Sequence, residues 1–222
     1  MKRKLFAGLV TSLSVAGLCV ASGASVLAAE VDRANTDVGI GFTEHGPGQE
    51  DGPLEITWAP LSLDFYNGNE VNTAVKAFPE ISGNKKYTVV KDERAGATDE
   101  WKLTASLSEL TSPRASGTGV DKLTGAELQF TTAVKGYEGV NPPESAGSVT
   151  TDARTAVAAT SGNISAGAAA TKVLEDGTAG SGTFQGQSAL EMDNINLEVP
   201  ANVAKAGAQY TGTLTWSLDD VI

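Results

Sequence analysis

The sequence predicts an all-β protein, a single β-sandwich-like domain with long irregular loops. Three observations carry that prediction. Two distant segments, Trp101-Lys102-Leu103-Thr104-Ala105-Ser106-Leu107 and Leu214-Thr215-Trp216-Ser217-Leu218, alternate apolar and polar residues with a period of two. Other short alternations run along the chain, punctuated by Pro, Gly and Asn-Gly. The one Ala-rich stretch that invites a helix is interrupted by Gly, Thr and Ser.

The elements follow in order. Lys2, Arg3 and Lys4 precede an apolar run over 5–20, and Val26-Leu27-Ala28 fits a small-x-small cleavage site. Residues 1–28 therefore read as an export signal and residues 29–222 as the mature domain. The apolar run is short for a membrane span and is broken by Thr11, Ser12 and Ser14. Cys19, the only cysteine, follows Leu18 rather than a small residue, so it reads as part of the signal and not as a lipid attachment point. Residues 30–51 are polar and Gly-rich, a loose first strand or a mobile segment. Leu54-Ile56-Trp58 alternates up to Pro60, and Leu61-Leu63-Phe65 up to the turn signal Asn67-Gly68. Tyr87-Thr88-Val89-Val90 is rich in β-formers and ends in a polar turn over 91–96. The Trp101 strand follows, then an alternation from Leu123 to Phe130. Residues 145–183 are dominated by Ala, Thr, Ser and Gly and read as irregular loop, with a short strand near Thr171-Lys172-Val173-Leu174. Ile195-Leu197-Val199 alternates up to Pro200, and the Trp216 strand comes last.

Composition narrows the function. The chain has 16 Lys+Arg against 27 Asp+Glu, a net charge of −11. Loss of Lys2, Arg3 and Lys4 with the signal leaves 13 against 27, a net charge of −14. That balance argues against nucleic acid as a partner and against bulk attraction to an anionic surface polymer such as teichoic acid. A mature chain without cysteine has no disulfide framework and no zinc cluster, so it relies on its core. Its length suits one sizeable domain or two small ones.

The flanks of the two Trp-x-Leu motifs carry a family resemblance. They include Pro53-Leu54-Glu55-Ile56, Leu61-Ser62-Leu63-Asp64-Phe65, Val89-Val90-Lys91-Asp92-Glu93-Arg94, Leu123-Thr124-Gly125-Ala126 and Gly180-Ser181-Gly182-Thr183-Phe184. They end with Leu197-Glu198-Val199-Pro200-Ala201 and the run from Ala206 through Trp216 to Leu218. Together, and behind an export signal, these resemble the WxL-domain surface proteins of low-GC Gram-positive bacteria over nearly the whole mature chain. Phe184 stands where such proteins often carry Trp, and the last four residues lack a proline often found there. The resemblance implies a secreted protein held non-covalently on the cell wall by peptidoglycan binding, with no enzymatic activity and no cofactor. It also implies a membrane-anchored WxL-interacting partner as a second docking target, and a host matrix protein is a third. The chain has no sorting motif, hydrophobic tail or basic tail after the second motif, so attachment without covalent anchoring is the expectation.

The binding-motif residues are Trp101, Leu103, Trp216 and Leu218, with two readings. On the apolar face of an alternating strand, Trp and Leu pack a core. An exposed Trp stacks on sugar rings or anchors an interface. Lys102, Thr104, Ser106, Thr215 and Ser217 fall on the opposite, solvent-facing side, and Trp58 reads as core. Other chemistry is thin. His45 is the only histidine and has no companion for a triad or a zinc site. Asp92, Glu93, Asp99, Glu100, Glu191, Asp193, Asp219 and Asp220 supply carboxylates enough for a hydrolase, but read as solvated surface. No segment has calcium-loop spacing, so a metal site is not expected. Asp92 and Arg94 read as a structural ion pair.

Overall fold

The computed structural model describes residues 29–38, 52–94, 100–139, 141–151, 156–160, 162–177 and 184–221, and among them the alternations become strands without any helix. The strands are β1 (Ala29–Val38), β2 (Leu54–Trp58), β3 (Ser62–Leu63), β4 (Lys76–Pro79), β5 (Lys86–Asp92), β6 (Glu100–Leu107), β7 (Thr111–Pro113), β8 (Val120–Lys122), β9 (Glu127–Tyr137), β10 (Val149–Thr150), β11 (Val157–Ala159), β12 (Asn163–Ser165), β13 (Thr171–Asp176), β14 (Gly186–Val199) and β15 (Gly212–Val221). The export signal, His45, Asp99 and the Gly-rich run 39–51 lie outside the described residues.

Two sheets stack on each other. One has six strands in the order β11-β13-β6-β15-β1-β3. The other has seven, in the order β10-β9-β14-β5-β2, with β12 on β9 and β4 on β14. A separate hairpin joins β7 and β8. The inner faces share one core. Trp101, Leu103, Leu107, Leu214, Trp216 and Leu218 from the first sheet meet Ile56, Val90, Leu128, Leu190 and Met192 from the second. Period two explains this directly, because every second side chain of β6 and β15 is buried while those between are half-exposed.

The seven-stranded sheet buries part of its outer face as well. Tyr87, Val89 and Ala189 form a second small cluster, with Trp58, Tyr137 and Val149 packed against it. Glu191 is buried beside that cluster. It accepts hydrogen bonds from Lys85 Nζ at 2.8 Å and Tyr87 Oη at 3.1 Å. Burial, reinforced by the Glu191 carboxylate, pushes the Tyr87 hydroxyl far above its ordinary pKa.

Two expectations change. Trp58 belongs to the outer cluster and is only half-buried, because a bulge between Ile56 and Trp58 turns the indole to the face opposite Ile56. Residues 145–183 hold β10, β11 and β12 as well as β13. Segments of two or three residues show no period, yet Val157 and Ile164 each drop into the core. Of the two readings of the polar start of the mature chain, residues 29–38 take the strand, with β1 between β15 and β3. The turn signal Asn67-Gly68 sits within the long connection from β3 to β4.

Trp101→Ala and Trp216→Ala are each expected to lower stability by about 3–5 kcal/mol, because each empties a large space inside the shared core. Urea unfolding measures this. Variants that unfold like the parent yet lose wall binding would make the indoles ligand contacts instead.

Candidate functional site

The four motif residues come together, but inside. β6 and β15 pair antiparallel, with Leu103 opposite Leu218, Ala105 opposite Trp216 and Trp101 opposite Asp220. Trp101 is 2 % exposed, and Trp216, Leu103 and Leu218 are 0 % exposed. The Trp216 indole donates from Nε1 to Thr36 Oγ1 at 2.8 Å, and Thr36 donates in turn to the Pro60 carbonyl at 2.5 Å. A buried relay thus ties β15 to β1 and to the turn after β2. The Trp101 Nε1 has no hydrogen-bond partner among the described residues. Neither indole reaches solvent.

The motif end of the sandwich is closed by an ionic clamp. Arg94 donates from Nε and Nη2 to the two Asp92 carboxylate oxygens, at 3.0 and 2.9 Å, and from Nη1 to Asp220 Oδ1 at 2.6 Å. The clamp joins the end of β5 to the end of β15, and the Asp92 carboxylate holds the guanidinium above its ordinary pKa. This is the structural ion pair expected from the turn sequence, extended to Asp220. Asp176 is buried beside it, opposite Trp101 in the β6–β13 ladder. Its Oδ2 accepts the Phe184 N–H at 2.7 Å, while Oδ1 has no partner among the described residues. Burial holds its carboxyl above the usual aspartate value of 3.8, against the backbone N–H groups that favour the ionised form.

That shift has a sign. The folded state prefers the protonated Asp176, so the contribution of this group is most favourable in acid and is lost as pH rises through its folded pKa. Asp176→Asn is therefore expected to raise Tm, with a gain over the parent that grows from about pH 4 to about pH 7. A gain that stays flat or shrinks with pH, measured by thermal melts, would refute this.

The other end of the sandwich is open, and a pocket of about 160 Å³ lies there. Its floor is apolar: Phe65, Phe78, Leu110, Leu123, Leu197 and Val199. Its rim comes from two connections, with Asp64, Tyr66, Asn67, Asn69 and Glu70 on one side and Lys205, Gln209 and Tyr210 on the other. Local hydrogen bonds shape the first connection. The Tyr66 N–H donates to Asp64 Oδ1 at 2.9 Å, and Asn69 Nδ2 donates to the carbonyls of Phe65 at 2.6 Å and Tyr66 at 3.0 Å. Buried Asn72 pins the far end, donating from Nδ2 to the carbonyls of Ala74, Val199 and Pro200. In the second connection the Lys205 N–H donates to Tyr210 Oη at 3.1 Å.

Tyr66 is held in an unusual state. Its φ is +66°, the left-handed region, and its side chain is 64 % exposed. Among the described residues the other non-glycine residues at positive φ are Asn194 and Asn202, which tolerate it. The Tyr66 ring lies against Gly68, where a Cβ would stand 2.6 Å from Cε1, so glycine at that position is what lets the ring lie down. A bulky exposed aromatic residue in this region carries backbone strain. Sequence reasoning missed this residue. The available signal was an aromatic side chain directly before Asn-Gly.

The model for the WxL domain, described as surface cell wall-binding, matches residues 35–221, and the chain belongs to that family. The match takes in both Trp-x-Leu motifs and both sides of the pocket. No curated protein and no solved structure matches the chain. Membership places the protein at the cell surface, in association with the wall, in a family of binding domains rather than enzymes. Among the described residues no group of carboxylates or histidines is arranged to hold a metal, and no helix is long and apolar enough to cross a membrane.

Proposed function

We propose that the protein is exported and held non-covalently on peptidoglycan, and that the pocket end makes the contact while the motif indoles build the core behind it. Tyr66 is the observation that carries this reading. A Tyr in the left-handed region costs about 1–2 kcal/mol relative to glycine, and here that strain presents an aromatic face to solvent at the mouth of a pocket. Aromatic faces and side-chain amides are the groups that recognise neutral sugars and peptides. The net charge of −11 makes attraction to anionic wall polymers a poor alternative.

One observation favours docking on a protein, either a membrane-anchored WxL-interacting protein or a host matrix protein. Val71, Val75 and Ile81, all exposed, lie on the same stretch of chain as Tyr66 and flank β4. The two readings separate by salt. Contact through stacking and neutral hydrogen bonds persists as salt rises, whereas docking of this acidic chain on a basic partner weakens.

Tyr66→Gly removes the ring and relieves the backbone strain together. It is expected to weaken retention on teichoic-acid-free peptidoglycan about tenfold while leaving Tm unchanged or higher. Retention equal to the parent across a salt series would overturn the pocket-end reading. For attachment itself, strong denaturant is expected to strip the protein from intact cells. Release only on wall digestion would contradict non-covalent attachment.

A further inference from the structure

We infer that the end pocket is a subsite for one methyl-bearing amide group, such as the acetamido group of an N-acetylated amino sugar or an alanyl unit of a wall peptide. This rests on the reading that the pocket end faces the wall, and it adds what the pocket selects. Size sets the first limit. At about 160 Å³ the space matches cavities that take one six-membered ring, so it holds a single sugar or one or two small amino-acid units.

The floor sets the second limit. Phe65, Phe78, Leu110, Leu123, Leu197 and Val199 are all buried and offer no hydrogen-bonding side-chain atom. A hydroxyl or charge pressed onto that floor loses its water without a replacement partner. A methyl gains roughly 0.8 kcal/mol for each carbon removed from water. A polyhydroxylated sugar without an acyl group has nothing suited to the floor.

The rim sets the third. Asn67 and Gln209 are exposed, and each amide both donates and accepts. Tyr210 Oη already accepts the Lys205 N–H, which leaves its own hydroxyl proton free to donate. An amide, with one N–H and one C=O, is complementary to such a rim. Charge points the same way. Asp64, Glu70 and Lys205 all line the pocket, two carboxylates to one ammonium, which disfavours phosphate or carboxylate as the bound group. The Tyr66 ring supplies a flat face for the sugar ring or peptide plane that carries the amide.

The test is an NMR titration of the full chain with N-acetyl-D-glucosamine, D-glucosamine, D-glucose and N-acetyl-D-alanyl-D-alanine amide, each to about 10 mM. The acetylated sugar, the acetylated peptide or both are expected to shift the backbone amides of Tyr66, Gln209 and Tyr210. Saturation transfer should be strongest at the ligand methyl. D-glucosamine and D-glucose are expected to bind at least about tenfold more weakly, and Tyr66→Gly and Gln209→Ala to reduce the shifts. A response to the sugar alone assigns the acetamido source, and to the peptide alone, with saturation at its alanyl methyls rather than at its acetyl cap, the alanyl source. A response to both assigns the shared group. Equal binding of D-glucosamine or D-glucose, or no response to either acetylated ligand, overturns the inference. If the acetylated ligands fail while peptidoglycan retention still depends on Tyr66, the subsite is wrong and the wall reading stands. If they bind while retention ignores Tyr66, the subsite stands and the wall reading falls.

Discussion

β6 and β15 lie side by side, and Leu103 faces Leu218 across their ladder. On this pairing the rest of the structure depends. It joins two segments that are far apart in sequence, and it sends two indoles and four leucines into one layer. β15 is also flanked by β1 on its other side, so the last described strand lies within the six-stranded sheet rather than at its edge. Buried polar groups fix the arrangement further. Thr36 satisfies the Trp216 indole, and an unpaired N–H there would cost about 1–3 kcal/mol. The Trp-x-Leu side chains are therefore part of the core that the two sheets share.

The two ends of the sandwich are built on opposite principles. At the motif end, polar groups are spent on each other: Arg94 spans Asp92 and Asp220. Asp176 Oδ1 and Trp101 Nε1 are exceptions, both buried without a hydrogen-bond partner among the described residues. At the pocket end, backbone groups are satisfied by Asp64, Asn69 and Asn72, which leaves the Tyr66 ring and the Asn67 and Gln209 amides turned to solvent. Local hydrogen bonds there offset the strain at Tyr66 and keep an apolar floor open.

Much of the fold was legible because a half-buried strand needs only period two. β6 and β15 were read from that signal, and with them the apolar face of each motif, while β5 was read from its β-formers. The acidic charge and the Arg94–Asp92 pair were legible too, since both are local. The candidate site was not. Its floor is assembled from residues 65 to 199, and its rim from connections after β3 and after β14, with nothing in either segment to announce the other.

Composition and periodicity by themselves determined that this chain is all-β and acidic, and that Trp101 shares a strand face with Leu103 and Trp216 one with Leu218. The tertiary structure alone decided that both faces are interior, that Trp58 turns outward, and that Tyr66 guards a pocket. The physical reason is that alternation specifies which residues share a side of a strand, and not which side is covered. A bulge of one residue reverses that side, as between Ile56 and Trp58. A positive φ at a tyrosine leaves no trace in its identity and is fixed only by the hydrogen bonds and the glycine around it.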